Sequence, residues 1–323
     1  MVASGGRARA SIVSGQSGSV VTVGTFDGVH RGHRAVLDEI AGRAATSGRR
    51  SVLVTFEPHP LDVVNPAAAP PRLTTAPERL EVVATSAVEE MMVLKFDHAM
   101  ATRTPAEFVD RILLDRCDMR ELVIGADHGF GRGRSGDVET LRELGAARGF
   151  PVDVVEPVMV DGNRVSSTAI RRAVAGGDLD SAARMLGRRY SVSGKVRRGA
   201  SRGGPIGFPT LNLDVPHRKL LPPDGVYAAI VETPAGRFGG MMNQGHRPTF
   251  DDGRRLIEVH LFGFAGDLYD RWVRVEWVAH LREIRRFDGV AALRLQLEDD
   301  RLRAMATLAD VRPDLDAPVV APE

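Results

Sequence analysis

Two histidines frame the segment His30-Arg-Gly-His33, which follows a β-branched run that stops at Gly24 and a turn holding Phe26, Asp27 and Gly28. Just beyond, Val36, Leu37, Ile40, Ala41 and Ala44 recur at helical spacing, so the helix has one apolar face. A strand–loop–helix junction directs backbone N–H groups and the positive end of the helix dipole at whatever sits there. Two imidazoles at that point can donate to phosphate oxygens, and Gly32 lets a ligand approach the backbone closely. The arrangement suits attack on the α-phosphate of a nucleoside triphosphate. Such transfer asks for positioning and charge stabilisation, with no nucleophilic side chain when the acceptor is itself a phosphate. The plainer alternative is a pair of surface histidines on a loop.

Three further constellations point the same way. In Val165-Ser-Ser-Thr-Ala-Ile-Arg171, Ser167 and Thr168 offer hydroxyl and N–H groups at a helix start, and Arg171 brings a phosphate-shaped fork one turn later. An N-cap beside a surface arginine is the alternative. From Gly194 to Asn212 a basic, glycine-rich loop containing Lys195 and Gly199 can bend around phosphates. Its end, Phe208-Pro-Thr-Leu-Asn212, places Thr210 and Asn212 on one face of an extended segment, a neutral oxygen pair suited to Mg2+ shared with nucleotide phosphates. In Ile257-Glu-Val-His-Leu261, strand alternation puts Glu258 and His260 on one face and the apolar residues on the other. A carboxylate there can take the proton from a hydroxyl attacking a γ-phosphate. The alternative is an exposed strand glutamate.

These segments resemble, in order, the signatures of the bacterial bifunctional riboflavin kinase/FMN adenylyltransferases, whose first half is an HxGH-type nucleotidyltransferase. Thr55-Phe-Glu-Pro-His-Pro60, Gly125-Ala-Asp-His-Gly-Phe-Gly131, Pro223-Asp-Gly-Val-Tyr227 and Asn243-Gln-Gly-His-Arg-Pro-Thr249 extend the likeness over roughly residues 18–310. The resemblance implies ATP as co-substrate, Mg2+, and a flavin carried from riboflavin to FMN and then to FAD. It implies catalytic roles for His30, His33, Arg171 and Glu258. Gly24, Phe26, Asp27, Gly28, Asp127, Ser167, Thr168, Lys195 and Gly199 would meet nucleotide, Arg282 would meet flavin, and Thr210 and Asn212 would hold the metal. Two positions depart from the pattern: His128 stands where an aromatic residue is expected, and Gly204 where an arginine is common. A homologue with only one live activity is therefore the main competitor. A different adenylyltransferase is opposed by the C-terminal half, and a non-catalytic flavin binder by the retained His30, His33, Thr210, Asn212 and Glu258.

The bulk of the chain sets limits on these readings. Its 323 residues allow about two domains. With 43 basic and 42 acidic residues the net charge is +1, which gives no reason to expect nucleic-acid binding. No apolar run is long enough to span a membrane, and the first residues show no apolar signal core. Cys117 is the sole cysteine, so an intramolecular disulfide and a cysteine-rich zinc site are excluded. The expectation is a cytoplasmic enzyme of small-molecule substrates, with the oligomeric state left open.

Strand-like runs at 20–23, 51–56, 91–96, 121–126 and 152–155 alternate with helical patterns near 33–47, 77–87, 105–116 and 137–148. This predicts a Rossmann-like α/β domain with a parallel sheet covered on both faces. Its ligands should sit beyond the carboxyl ends of the strands. After a helix at 179–186 the character changes. Short alternating runs at 190–196, 226–232, 237–242, 255–262 and 272–278 predict a small antiparallel β-barrel, closed off by a helix over 289–308. The domains are accordingly 1–186, for adenylyl transfer, and 187–323, for the kinase.

Overall fold

The computed structural model describes residues 17–126, 136–198, 206–246 and 255–311. The chain forms two compact units that do not follow chain order. One gathers Met1–Phe26, Gly32–Ala69 and Val82–Val158; the other gathers Asp27–Arg31, Pro70–Glu81 and Met159–Glu323.

The first unit is built on five parallel strands, β1 (Ser19–Val23), β2 (Arg50–Glu57), β3 (Glu90–Lys95), β4 (Met119–Gly125) and β5 (Val152–Val155), in the order β3-β2-β1-β4-β5. Every residue of β1 is buried, as a central strand covered on both faces requires. The strand order reverses at β1, and Gly24 lies at its carboxyl end, where a doubly wound sheet binds its ligand. The helices begin with α1 (Arg31–Ser47), α2 (Pro60–Val64) and α3 (Ala76–Val83), most of which belongs to the second unit. They continue with α4 (His98–Ala101), α5 (Pro105–Phe108) and α6 (Val138–Arg148). Val21, Val54, Phe56, Ile112, Leu122, Ile124 and Leu141 are among the core side chains, each contributing roughly 1.5–3 kcal/mol by leaving water.

The second unit contains the hairpin β6 (Met159–Val160) and β7 (Asn163–Arg164), then α7 (Ser167–Ala175) and α8 (Leu179–Leu186). Six antiparallel strands follow: β8 (Ser191–Arg197), β9 (Leu211–Asp214), β10 (Gly225–Thr233), β11 (Gly236–His246), β12 (Arg255–Leu261) and β13 (Trp272–Arg282). They close into a barrel in the order β10-β11-β12-β9-β8-β13. Closure gives each of these six strands a neighbour on both sides, so none of them is left as an open template. Helix α9 (Val290–Val311) packs on β10, β11 and β13, burying Ala304 and Leu308 against Val226, Ala228, Ile230 and Met241.

The expected parallel sheet, barrel and final helix are present, and the differences are local. The helix expected to run to residue 87 stops at Val83, because Thr85 and Ser86 hydroxyls bond back to the Val82 and Val83 carbonyls. The helix over 105–116 begins as α5 and widens into a π-helical turn at Val109–Leu114. Beyond the end of β2 at Glu57, Pro60 opens α2, with the His59 ring accepting the Leu61 N–H at 3.1 Å. Strand β9 lay inside a segment read only as extended, and it supplies the pairing between β12 and β8 that closes the barrel.

Candidate active site

In the first unit, β1 delivers Gly24 to a turn whose N–H group bonds the Val54 carbonyl at 3.0 Å. The Phe26 ring lies over Gly24, and a Cβ there would stand 3.0 Å from it, so the ring's place depends on glycine. Phe26 in turn packs against the His33 imidazole, with ring centroids 4.7 Å apart. Phe26 is buried and at φ 48, so it shapes the histidine's setting and is covered by it.

Asp27 opens the segment that belongs to the second unit, and its carboxylate is buried. It accepts the Leu73 N–H at 3.1 Å, the Thr74 N–H at 2.9 Å, the Thr74 hydroxyl at 3.2 Å and Arg171 Nη2 at 2.6 Å. Arg171 also donates through Nε to the Pro71 carbonyl at 2.9 Å. Arg171 therefore sits one turn into α7 with its fork already oriented by Asp27. Ser166 caps α7 by accepting the Ala169 N–H, and Ser167 donates to the Asp27 carbonyl at 2.9 Å, while Thr168 is exposed. The helix start thus falls one residue earlier than the hydroxyl reading assumed.

The next two residues have left-handed backbone, Gly28 at φ 86 and Val29 at φ 39. For a β-branched residue this conformation costs on the order of 1–3 kcal/mol. Three hydrogen bonds from two neighbours hold it. Thr74 Oγ1 accepts the Gly28 N–H at 2.9 Å, and Arg188 donates to the Gly28 carbonyl at 2.6 Å and to the Val29 carbonyl at 3.0 Å. His30 follows, buried. Burial pushes its imidazole down to about 4; Asp27 opposes that shift, and Arg188 and Arg171 add to it. At neutral pH His30 is uncharged, so it can act as an N–H donor, and the fixed positive charge nearby is that of the arginines.

The barrel carries the other site. Across β11, β12 and β9, Asn243, Glu258 and Asn212 stand directly opposite one another, with Arg197 of β8 next in the row. Facing residues of paired antiparallel strands share a side of the sheet. Ile257, Val259 and Leu261 are buried while Glu258 and His260 are partly exposed, the alternation expected. Among the described residues, the buried Asn212 Oδ1 has no hydrogen-bond partner. The His260 ring lies 2.8 Å, through Nδ1, from the Pro209 carbonyl and packs against Phe208, both in the segment that leads through Thr210 into β9. Burial pushes the His260 imidazole down.

Two expected ligand contacts are otherwise engaged here. Arg282 pairs with the fully buried Asp300 of α9, at 2.9 and 2.7 Å through Nε and Nη2, and so locks β13 to α9. Lys195 meets Asp270 at 2.9 Å on the surface. Asp127, His128, Gly199 and Gly204 lie outside the described residues.

The structure adds a cluster that no motif announced. Glu78 on α3 is buried, accepting the Ser193 N–H at 2.7 Å, the Thr75 N–H at 2.8 Å and Lys219 Nζ at 2.7 Å. Lys219 also donates to the Leu73 carbonyl at 2.7 Å and lies 4.7 Å over the Tyr190 ring, which stacks on Trp277. Burial pushes the Lys219 ammonium down, and Glu78 opposes this. Through Leu73, whose N–H bonds Asp27, this pair supports the segment that precedes His30.

A family model described as FAD synthetase matches residues 13–169, and one described as riboflavin kinase matches residues 186–308. The bifunctional riboflavin kinase/FMN adenylyltransferase of Pseudomonas fluorescens is 40% identical over 293 residues, covering 90% of this chain and 94% of that protein. The enzymes of the same name from Escherichia coli K12 and Bacillus subtilis are 36% and 32% identical, each covering 92% of this chain and 95% of theirs. A solved structure titled as a macrolide-efflux protein from Streptococcus pneumoniae superposes with a TM-score of 0.80 at 31% identity, covering 90% of this chain and 94% of that one.

Proposed function

The chain belongs to the bifunctional riboflavin kinase/FMN adenylyltransferase family, and on that premise we propose which of its residues run the two reactions. It phosphorylates riboflavin to FMN with ATP, then joins FMN to AMP from a second ATP, releasing pyrophosphate and FAD. Adenylyl transfer is assigned to residues 1–186 and the kinase to 187–323. The placement of the signatures and the spans 13–169 and 186–308 of the two family matches support that boundary.

For adenylyl transfer, an FMN phosphate oxygen attacks the α-phosphate of ATP and pyrophosphate leaves. The acceptor is already ionised, so no general base is required. His30 and His33 donate N–H groups to the charge that develops, and Arg171 supplies the cation. Asp27 is assigned to orienting Arg171. The meeting of Asp27 and Arg171, 144 residues apart in the chain, is the observation that carries this reading.

For the kinase, the Glu258 carboxylate takes the proton of the ribityl hydroxyl as its oxygen attacks the γ-phosphate. Thr210 and Asn212, whose Oδ1 has no partner among the described residues, would hold Mg2+ beside it. Neutral oxygens suit a cation that takes its remaining ligands from water and phosphate, and the ion neutralises phosphate charge when bound. Arg282 is assigned to fixing α9 rather than to flavin. Among the described residues no helix is long and apolar enough to cross a membrane, and with ATP and flavins as small-molecule substrates the cytoplasm is the compartment this reading expects.

The test is flavin chromatography after incubating the full chain with ATP, Mg2+ and either riboflavin or FMN. Wild type should give FMN and FAD from riboflavin. Glu258→Gln keeps the size but cannot act as a base, and should lose about 100- to 10,000-fold of FMN formation. Its FAD formation from supplied FMN should persist. Retention of kinase activity would make Glu258 a strand surface residue.

A further inference from the structure

We infer that Arg188, in the link between α8 and β8, is a positioning residue for adenylyl transfer: its guanidinium fixes the Gly28–Val29 backbone from which His30 is presented. The inference rests on the reading of His30 as part of the adenylyl-transfer site, and it concerns a residue outside every signature in the sequence.

The local structure explains how Arg188 reaches this place. Helix α8 ends in a left-handed cap at Gly187, φ 75, whose N–H bonds the Ala183 carbonyl at 2.8 Å. The chain turns there, and Arg188 is the first residue beyond the turn. Its fork then spans two successive carbonyls, Nη2 on Gly28 and Nη1 on Val29. A planar guanidinium can bridge two acceptors in fixed directions, whereas an ammonium is a single flexible point.

The clamped backbone is the part of the loop least able to hold itself. Val29 at φ 39 is a conformation that a β-branched residue seldom takes, and it persists where surroundings over-determine it. Thr74 holds the Gly28 N–H and Ser167 holds the Asp27 carbonyl, but the Gly28 and Val29 carbonyls are both held by Arg188. Removing it frees the two carbonyls immediately before His30. The charged groups facing His30 are Asp27, Arg171 and Arg188; burial is the main cause that pushes its imidazole down, and loss of Arg188 removes one of the two positive charges that add to it.

The experiment uses the full chain with supplied FMN, ATP and Mg2+, and reads FAD formation beside FMN formation from riboflavin. Arg188→Ala should lower kcat for FAD formation on the order of 10- to 100-fold, as misplacement of a reacting group by about an ångström does. The KM values for ATP and FMN should change little, and FMN formation should stay near wild type. Carbon-13 NMR of histidine-labelled protein should show His30 titrating at higher pH in Arg188→Ala. Arg188→Lys, which keeps the charge without the fork, should restore the titration but not kcat; it also reads the loss of kcat if the alanine variant does not fold. Unchanged FAD formation overturns the inference, as does an equal fall in both activities, which would make Arg188 a joint of the fold. His33→Ala is run alongside. If His33→Ala loses FAD formation and Arg188→Ala keeps it, the inference alone fails. If both keep it, the assignment of the histidine motif fails too.

Discussion

Replacing Lys219 by methionine isolates the energetics of the buried pair beneath the histidine loop. Lys219 and Glu78 expose 1% and 5% of their side chains and meet at 2.7 Å. Methionine keeps most of the length but leaves the Glu78 carboxylate with no cation. Breaking a buried pair from one side costs about 3–5 kcal/mol. Glu78 keeps two N–H donors, from Ser193 and Thr75, so the low end applies, about 3 kcal/mol, or roughly a 100-fold change in the unfolding equilibrium. Glu78→Gln should cost less, because burial already pushes the Lys219 ammonium toward its neutral form. In that variant the folded state binds fewer protons than the unfolded one, so its stability should rise with pH. The double variant should recover much of the loss, giving a coupling of about 2 kcal/mol. The assay is urea unfolding followed by tryptophan fluorescence. Both tryptophans, Trp272 and Trp277, lie on β13, and Trp277 is buried against Tyr190, so the signal reports the second unit. A Lys219→Met protein within about 0.5 kcal/mol of wild type, or a double variant no better than the worse single one, would refute the reasoning.

Other outcomes follow from the same geometry. His33→Ala should lose about 100-fold or more of FAD formation while FMN formation from riboflavin continues, since the lost donor acts on transition-state charge; paired flavin assays check this. His30 holds its proton less tightly folded, at about 4, than unfolded, at about 6.5, so its contribution to stability is complete above pH 6.5 and is lost as pH falls toward 4. The difference, about 2.5 pH units, corresponds to about 3 kcal/mol. Urea midpoints at pH 7, 5 and 4 should therefore converge more closely in His30→Gln than in wild type.

Much of the architecture was legible because local pattern and global role coincide. The period-two alternation around Glu258 and His260 is what a half-buried barrel strand must show, and the β-branched run ending at Gly24 is what a buried parallel strand must show. Strand β9 was legible only as an extended segment, since its four residues, Leu211–Asp214, sit between Pro209 and Pro216 and its partners β8 and β12 are remote in sequence. Asp27 lies in a motif and reads as a ligand group, yet its oxygens are taken by Leu73, Thr74 and Arg171. That role depends on backbone N–H groups in a segment with no signature. Glu78, Arg188 and Lys219 were invisible for a related reason: each is an ordinary charged residue whose partner is remote in sequence, and nothing in spacing or composition marks such a pair. His260 offered a faint signal, as the second polar residue on the Glu258 face, and its link to Pro209 appears only once β9 and β12 are paired.

The interleaving of early and late segments in the second unit bears on how the protein is made. Residues Asp27–Arg31 and Pro70–Glu81 leave the ribosome near the beginning of synthesis, but the unit they belong to is not complete until β13 and α9 have emerged. At about 5–20 residues per second, the histidine loop waits on the order of tens of seconds for the arginine, lysine and serine that will hold it. During that interval a nascent chain carries the motif without its supports. Acquisition of FAD-forming activity should therefore track release of the full-length chain rather than emergence of the motif itself.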